Sequence, residues 1–136
     1  MTAPGGRAYI QGMSGPKLSS RQQAQLAYLQ TLPPKLQRFH TLVEQMATLQ
    51  ADEAVVRGFI RNLEELKANA QSLSLTGLAD TAGLMATMAR RSGGHQMKVR
   101  GLRELLGSLK INYEGAMRSA TKPVGPGDEA APAEKS

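Results

Sequence analysis

The chain contains no cysteine and no tryptophan, and it has only two phenylalanines and three tyrosines among 136 residues. The absence of cysteine excludes disulfide bonds, a thiolate nucleophile and cysteine-based zinc sites. The scarcity of aromatic side chains argues against nucleic-acid binding by base stacking. It also means that the core must be largely aliphatic, with seven methionines available to fill irregular gaps.

Long apolar runs are missing as well. No stretch is long enough to span a bilayer, and the first residues lack the apolar segment of a signal peptide, so we expect a cytoplasmic protein. No segment alternates between polar and apolar residues with a period of two, so strands are not expected. The length of 136 residues suffices for one domain with a modest core.

Apolar residues recur at spacings of three and four in four stretches, which predicts four long helices preceded by a short N-terminal helix near Ser20. Short connections make sequential helices antiparallel, so the expected fold is all-α, an antiparallel up-down four-helix bundle over residues 19–120. Residues 1–18 and 121–136 are rich in glycine, proline and charge and are expected to be disordered tails. The first long helix is predicted from Pro34 to Gln50, the second after an N-cap at Asp52, the third after an N-cap at Thr76, and the last from His95 to Ser119.

The stretch from Asn62 to Met85 indicates the end of one helix, a short break and the start of the next. Its apolar spacing and its single Lys67 resemble the active helix of a histidine-containing phosphotransfer (HPt) domain, and the similarity extends loosely over residues 20–118. In that family a histidine on the second long helix accepts a phosphoryl group, a lysine three residues on helps neutralise its charge, and a following glycine lets a receiver domain approach. The positions that match are Leu66, Lys67, Ala70, Leu73, Leu75, Leu78, Ala82 and Met85.

Two departures from the HPt pattern determine the expected function. Glu64 stands at the histidine position, and Ala68 stands at the glycine position. A carboxylate lacks the neutral imidazole nitrogen that is the nucleophile in HPt chemistry, so the resemblance implies a non-catalytic adaptor in bacterial two-component signalling. It would need no cofactor and would bind a protein partner, the receiver domain of a response regulator, through the exposed face of the second long helix. The residues spaced three and four apart along that face are Arg57, Arg61, Glu64, Lys67, Ala68 and Gln71.

Glu64 and the methionines also allow simpler interpretations. Glu64 could be a plain surface residue, ion-paired with Lys67 three positions on, in a helix pair that shares only its architecture with HPt domains. Met85, Met88 and Met97 lie near one end of the predicted bundle, and methionine is common at adaptable contacts, which favours a self-assembling, homo-oligomeric structural component.

The formal net charge of +6 raises a further alternative. Much of the excess lies in one stretch, which would bind nucleic acid or another polyanion with a steep salt dependence, or would simply be a solvated rim. The members of this basic cluster are Arg90, Arg91, Lys98, Arg100 and Arg103.

Catalytic and metal-binding patterns are not found. There is no P-loop, no G-x-S-x-G elbow and no H-E-x-x-H motif. His40 is expected to flank the buried face of the first long helix and His95 to be solvated, and two lone histidines make a weak metal site. Glu65 and Asn69 lie four residues apart, which does not match the acid-x-x-amide spacing of phosphatases that act on receivers. We therefore expect no enzymatic activity, no catalytic residues and no bound metal.

Overall fold

The computed structural model describes residues 18–91 and 93–123, and the described chain is all-helical, with no strand among these residues. The all-α prediction is therefore confirmed. Most of the two predicted tails, residues 1–17 and 124–136, lies outside the described residues. Within the described ranges, no helix combines the length and the apolar character that crossing a bilayer would require. The described residues form five helices, which are α1 (Ser20–Leu29), α2 (Leu32–Ala47), α3 (Glu53–Ser72), α4 (Thr76–Arg90) and α5 (His95–Thr121).

The helices differ in how closely they pack on their neighbours. Helix α3 contacts α4 most extensively, α4 in turn contacts α5, and α5 also packs against α1 and α2. By contrast, α2 and α3 touch only sparsely, although they follow one another in the chain. The contact between α2 and α3 is therefore the loosest between consecutive long helices.

The core is aliphatic apart from the two phenylalanines. Phe39 on α2 and Phe59 on α3 meet edge to face, with ring centroids 5.5 Å apart and an interplanar angle of 61°, a favourable arrangement for aromatic pairs. Most residues of the predicted apolar stripes are buried or partly buried, and Leu66 rather than Lys67 faces inward on α3. Leu49, predicted as the last member of the α2 stripe, is instead 78% exposed, because the helix ends before it. The largest fully buried side chains are Phe39, Phe59, Leu29, Leu32, Leu63, Leu78, Met85, Leu102, Leu109 and Val43.

Two glutamine side chains link the short helix α1 to the long helices by hydrogen bonds. Ser19 caps α1 by accepting from the Gln22 N–H at 3.1 Å, while the Gln22 side chain accepts from the Ser19 N–H at 2.9 Å, which forms a capping box. The Gln22 side chain also donates to the carbonyls of Ser119 at 3.0 Å and Lys122 at 2.6 Å, at the end of α5. Gln25 donates to the carbonyl that follows α3 at 2.8 Å. The C-terminal ends of two long helices are thus satisfied by one short helix.

The end of α2 comes three residues before the predicted Gln50, because Leu49 adopts a left-handed backbone conformation with φ of 60°. The Gln50 N–H donates to the Gln45 carbonyl at 2.7 Å, and the Leu49 N–H donates to the Met46 carbonyl at 3.1 Å. This is the hydrogen-bond pattern of a Schellman motif, whose left-handed position is usually glycine. Ser74 takes the same conformation after α3, with φ of 61°.

Two predicted helix starts are also corrected. Helix α2 begins at Leu32, two residues early, because Pro33 and Pro34 both fit in its first turn, where a missing N–H leaves no hydrogen bond unmade. Thr76 is the first residue of α4 rather than its cap, and the cap position is held by Leu75 without a side-chain hydrogen bond. At its other end, α5 runs to Thr121, two residues beyond the predicted Ser119.

Candidate partner-binding face on helix α3

Helix α3 is well specified by its own sequence. The Asp52 carboxylate caps its N-terminus by accepting from the Val55 N–H at 2.9 Å, as predicted. Glu53 in the first turn has the charge that the positive end of the helix dipole favours. The buried residues Phe59, Leu63, Leu66 and Ala70 are three or four apart and form one stripe. The opposite face therefore points away from the core.

All six residues that the sequence assigned to the partner-binding face are exposed: Arg57, Arg61, Glu64, Lys67, Ala68 and Gln71. We call these residues the α3 face. Two of them, Glu64 and Lys67, contact α4. One edge of the α3 face therefore lies against α4.

Glu64 forms an ion pair with Arg90 on α4. The side chains of Glu64 and Arg90 are 48% and 51% exposed, so the pair is solvated and is expected to contribute little to stability. The sequence had suggested Lys67 as a partner for Glu64 within the same helix. The partner is instead Arg90 on the neighbouring helix, and its positive charge compensates that of the Glu64 carboxylate.

Lys67 lies along the backbone of α4 at Gly83. A Cβ atom at Gly83 would be 3.3 Å from Cδ, 3.5 Å from Cε and 3.6 Å from Nζ of Lys67. The aliphatic stem of the lysine thus packs over a position without a side chain, while its ammonium group stays near the surface. A Cβ atom at position 83 would require the lysine stem to shift by a few tenths of an ångström.

The charge of the α3 face is positive on balance. The Arg57 guanidinium lies 3.7 Å from the Glu53 carboxylate, one turn earlier on α3. The negative charge of Glu64 is compensated by Arg90. Among the described residues, neither Arg61 nor Lys67 has a carboxylate within ion-pair distance. These two cations are therefore the ones available to an external anionic group.

The basic cluster is divided between two directions. Arg90 reaches Glu64 on α3, whereas Arg103 makes two hydrogen bonds to Glu44 on α2, at 2.9 Å and 2.7 Å. The bond to Arg103 lowers the pKa of the Glu44 carboxyl, and Glu44 raises the pKa of the guanidinium in turn. Of the remaining members, Arg91 and Arg100 are exposed and Lys98 is half-buried.

The two histidines lie at the surface. His40 and His95 are exposed, and within the described ranges no three His, Asp or Glu side chains are grouped so that they could hold a metal ion.

The three methionines expected at a contact surface differ in burial. Met85 is fully buried, which is a correction to its expected role at such a surface. Met88 packs between helices, so close to Gly101 that an added Cβ would lie 2.8 Å from its Cε. Met97 is 76% exposed.

The sequence reasoning missed a cleft of about 220 Å³ where α2 and α3 diverge. Burial raises the pKa of Tyr28 at its edge, an effect that the nearby Asn69 amide opposes. Asn62 and Asn69, seven residues apart, were the available signal, because that spacing puts two amides on one side of a helix. The residues lining the cleft are Tyr28, Lys35, Arg38, Phe39, Asn62, Glu65, Leu66 and Asn69.

Comparison with known proteins finds no match for this chain among protein-family models, curated proteins or solved structures.

Proposed function

We propose that the chain is a non-catalytic adaptor of HPt type that binds the receiver domain of a response regulator through the α3 face. In this proposal the four long helices form an antiparallel up-down bundle, which agrees with their short connections and with the packing of α5 on both α4 and α2. The observation that carries the proposal is the geometry around Glu64. A carboxylate at the HPt histidine position is exposed, and a lysine three residues on lies beside it on the same helix.

A lack of phosphotransfer follows from the chemistry of Glu64. The HPt nucleophile is a neutral imidazole nitrogen, and a carboxylate that is ion-paired with Arg90 offers no equivalent. Mimicry of a phosphorylated histidine would also be incomplete, since a phosphoryl group carries about two negative charges and this carboxylate carries one, already compensated by Arg90. The module would therefore bind its partner in a manner that does not depend on phosphorylation of this chain.

A receiver suits the α3 face because receiver domains carry an acidic pocket. Arg61 and Lys67 have no ion-pair partner among the described residues, so a partner's carboxylates would not have to displace an internal one. Complementary charge of this kind raises the rate of association and favours the correct orientation. The exposed Ala68, next to Lys67 in the chain, has a small side chain that leaves room for close approach.

Affinity capture with three purified baits tests the proposal: the parent chain, Lys67→Glu combined with Arg61→Glu, and a control with Lys110→Glu. Lys110 is exposed on α5 and so tests charge reversal outside the α3 face. We expect the parent and the control to capture a receiver-containing protein and the α3 double variant to lose it. Capture of the same proteins by all three baits, or of no receiver by any of them, would overturn the proposal.

Self-association is the second candidate, because three large apolar side chains on α4 and α5 are solvent-exposed. Leu84 is 58% exposed, Ile111 is 66% exposed and Met97 is 76% exposed, and a second copy that covered any of them would remove apolar surface from water. The mass of the purified chain in solution, measured over a range of concentrations, tests this candidate. A constant monomer mass would reject it, whereas a rising mass that Ile111→Asp abolishes would support it.

A further inference from the structure

The cleft between α2 and α3 is a surface separate from the α3 face. Its α3 wall is formed by Asn62, Glu65 and Asn69, none of which belongs to the α3 face. Its α2 wall carries Lys35 and Arg38, one turn apart. The floor is apolar and comes from Phe39 and Leu66, which are both nearly fully buried.

The charged side chains around the cleft are exposed and form no ion pair within the described part of the molecule: Lys35, Arg38 and Glu65. The half-buried Asn62 amide makes no hydrogen bond there. The Tyr28 hydroxyl is buried without a well-formed hydrogen bond, and the Asn69 amide beside it opposes the rise in its pKa. Buried polar groups are normally satisfied. The Tyr28 hydroxyl and the half-buried Asn62 and Asn69 amides are therefore the groups for which an external ligand could supply partners.

The spacing of the two asparagines matches an extended peptide. Asn62 and Asn69 are seven residues apart, which separates them by about 10.5 Å along the helix. An extended chain rises about 3.3 Å per residue, so three residues span about the same distance. Each asparagine amide offers both a donor and an acceptor, as a peptide unit requires. The two amides could therefore hold the backbone of one short segment at both ends.

The charges select the side chains of such a peptide. Lys35 and Arg38 present two cations on the α2 wall, which favours a carboxylate there. Glu65 on the opposite wall would repel a second carboxylate, so the acidic side chain is directed toward α2. Phe39 and Leu66 at the floor are only 1% and 2% exposed, so an apolar side chain in the cleft would contact mainly the aliphatic parts of the wall residues. Gly58, one turn before Asn62, has nothing within 4 Å of where its Cβ would lie, so the surface remains open beyond the cleft.

The size of the cleft argues for a peptide rather than a cofactor. Its volume is about 220 Å³, below the range of about 300–1,000 Å³ that encloses drug-sized ligands. That space accommodates one or two side chains, while the rest of a bound peptide stays at the surface.

We propose that the cleft between α2 and α3 binds an extended acidic peptide segment of a partner protein. The Asn62 and Asn69 amides hold its backbone, one apolar side chain lies in the cleft above the floor, and a neighbouring carboxylate binds the two cations of the α2 wall. This site does not depend on the α3 face. A chain that holds one partner on each side of α3 would bring the two partners together.

Nuclear magnetic resonance titration of the isotope-labelled full chain tests this site with defined probes. The probe is the pentapeptide acetyl-Ser-Glu-Leu-Glu-Ser-amide, and the controls are the same peptide with lysine or glutamine in place of glutamate, and free glutarate. We expect saturable shifts of the Asn62 and Asn69 side-chain amide signals with the acidic peptide. Both control peptides and glutarate should bind more weakly, because each lacks either the carboxylate or the backbone and apolar contacts.

Two double variants of equal charge make the test specific. Lys35→Gln with Arg38→Gln should weaken binding of the acidic peptide by about tenfold or more, because two charge-assisted contacts are lost. Arg100→Gln with Lys110→Gln removes two exposed cations from α5 and should leave binding unchanged. Lys67→Glu should also leave it unchanged, so that this result and that for the α3 face are independent. Equal binding of the lysine peptide, equal binding of glutarate, or equal loss in both double variants would overturn the proposal.

Discussion

Position 49 allows a sharp prediction about the energetics of this fold. Leu49 has a φ of 60° and a side chain that is 78% exposed, in the turn between α2 and α3. A residue with a Cβ atom pays about 1–2 kcal/mol in this left-handed conformation, whereas glycine adopts it freely. Leu49→Gly should therefore be more stable than Leu49→Ala, although glycine is the poorer residue in almost every other helical context.

The magnitude follows from two opposing terms. Relief of the left-handed conformation favours glycine by about 1–2 kcal/mol, and the greater freedom of glycine in the unfolded chain offsets about 0.5–1 kcal/mol of that gain. At the midpoints of these two ranges, the net advantage of glycine over alanine at position 49 is about 0.75 kcal/mol. Because both variants remove the same exposed leucine side chain, its few lost contacts cancel in the comparison.

Gly107 on α5 supplies the matched control. It lies in the interior of a long helix, is exposed, and has nothing within 4 Å of where its Cβ would lie. There alanine should be more stable than glycine by about 0.8–1.0 kcal/mol. The free energy of unfolding, measured by urea denaturation followed by circular dichroism, should thus change in opposite directions at the two sites. If alanine were as stable as glycine at position 49, while position 107 behaved as expected, the left-handed turn after α2 would be wrong.

Three further predictions concern contacts between helices. Gln22→Ala should destabilise the chain by about 1 kcal/mol, because two carbonyls at the end of α5 lose their donor, and hydrogen exchange should quicken there; unchanged exchange would contradict the contact. The pKa of Glu44 is lowered in the folded state, so its stabilising contribution is present above the ordinary glutamate pKa and is lost as the pH falls through the folded value. Glu44→Gln should flatten the acid side of the stability-against-pH curve, and an unchanged curve would show that Arg103 does not act on this carboxyl. A double-mutant cycle with Glu64→Gln and Arg90→Gln should give a coupling of about 0.2–1 kcal/mol that weakens in high salt; a coupling insensitive to salt would argue against an exposed ion pair.

The helices could be predicted because their signals are local. The apolar stripe of α3 and its Asp52 cap lie within one stretch of chain, so spacing alone identified them. The exposure of the α3 face followed from the same periodicity. The errors arose at helix ends, where Leu49 adopts a conformation that glycine usually supplies, and where Leu32 starts a helix ahead of two prolines.

Contacts between helices could not be predicted, because they depend on which side chains face one another after folding. Nothing near Glu64 in the sequence points to Arg90, twenty-six positions later. Arg103 is likewise paired with Glu44, which lies 59 positions earlier in the sequence. Two arginines that looked like parts of one basic cluster therefore turn toward different helices.

The same dependence on facing side chains explains where the cleft opens. Helix α4 presents small residues to its neighbours, including Ala79, Gly83 and Ala86, and small side chains at a contact let helix axes approach closely. On the other side of α3, the bulky rings of Phe39 and Phe59 meet between α2 and α3, and these two helices touch only sparsely. Close packing on one side lets Lys67 and Glu64 reach α4, while the sparse contact on the other side leaves room for the cleft. The two candidate surfaces of α3 are thus consequences of side-chain size on its two neighbouring helices.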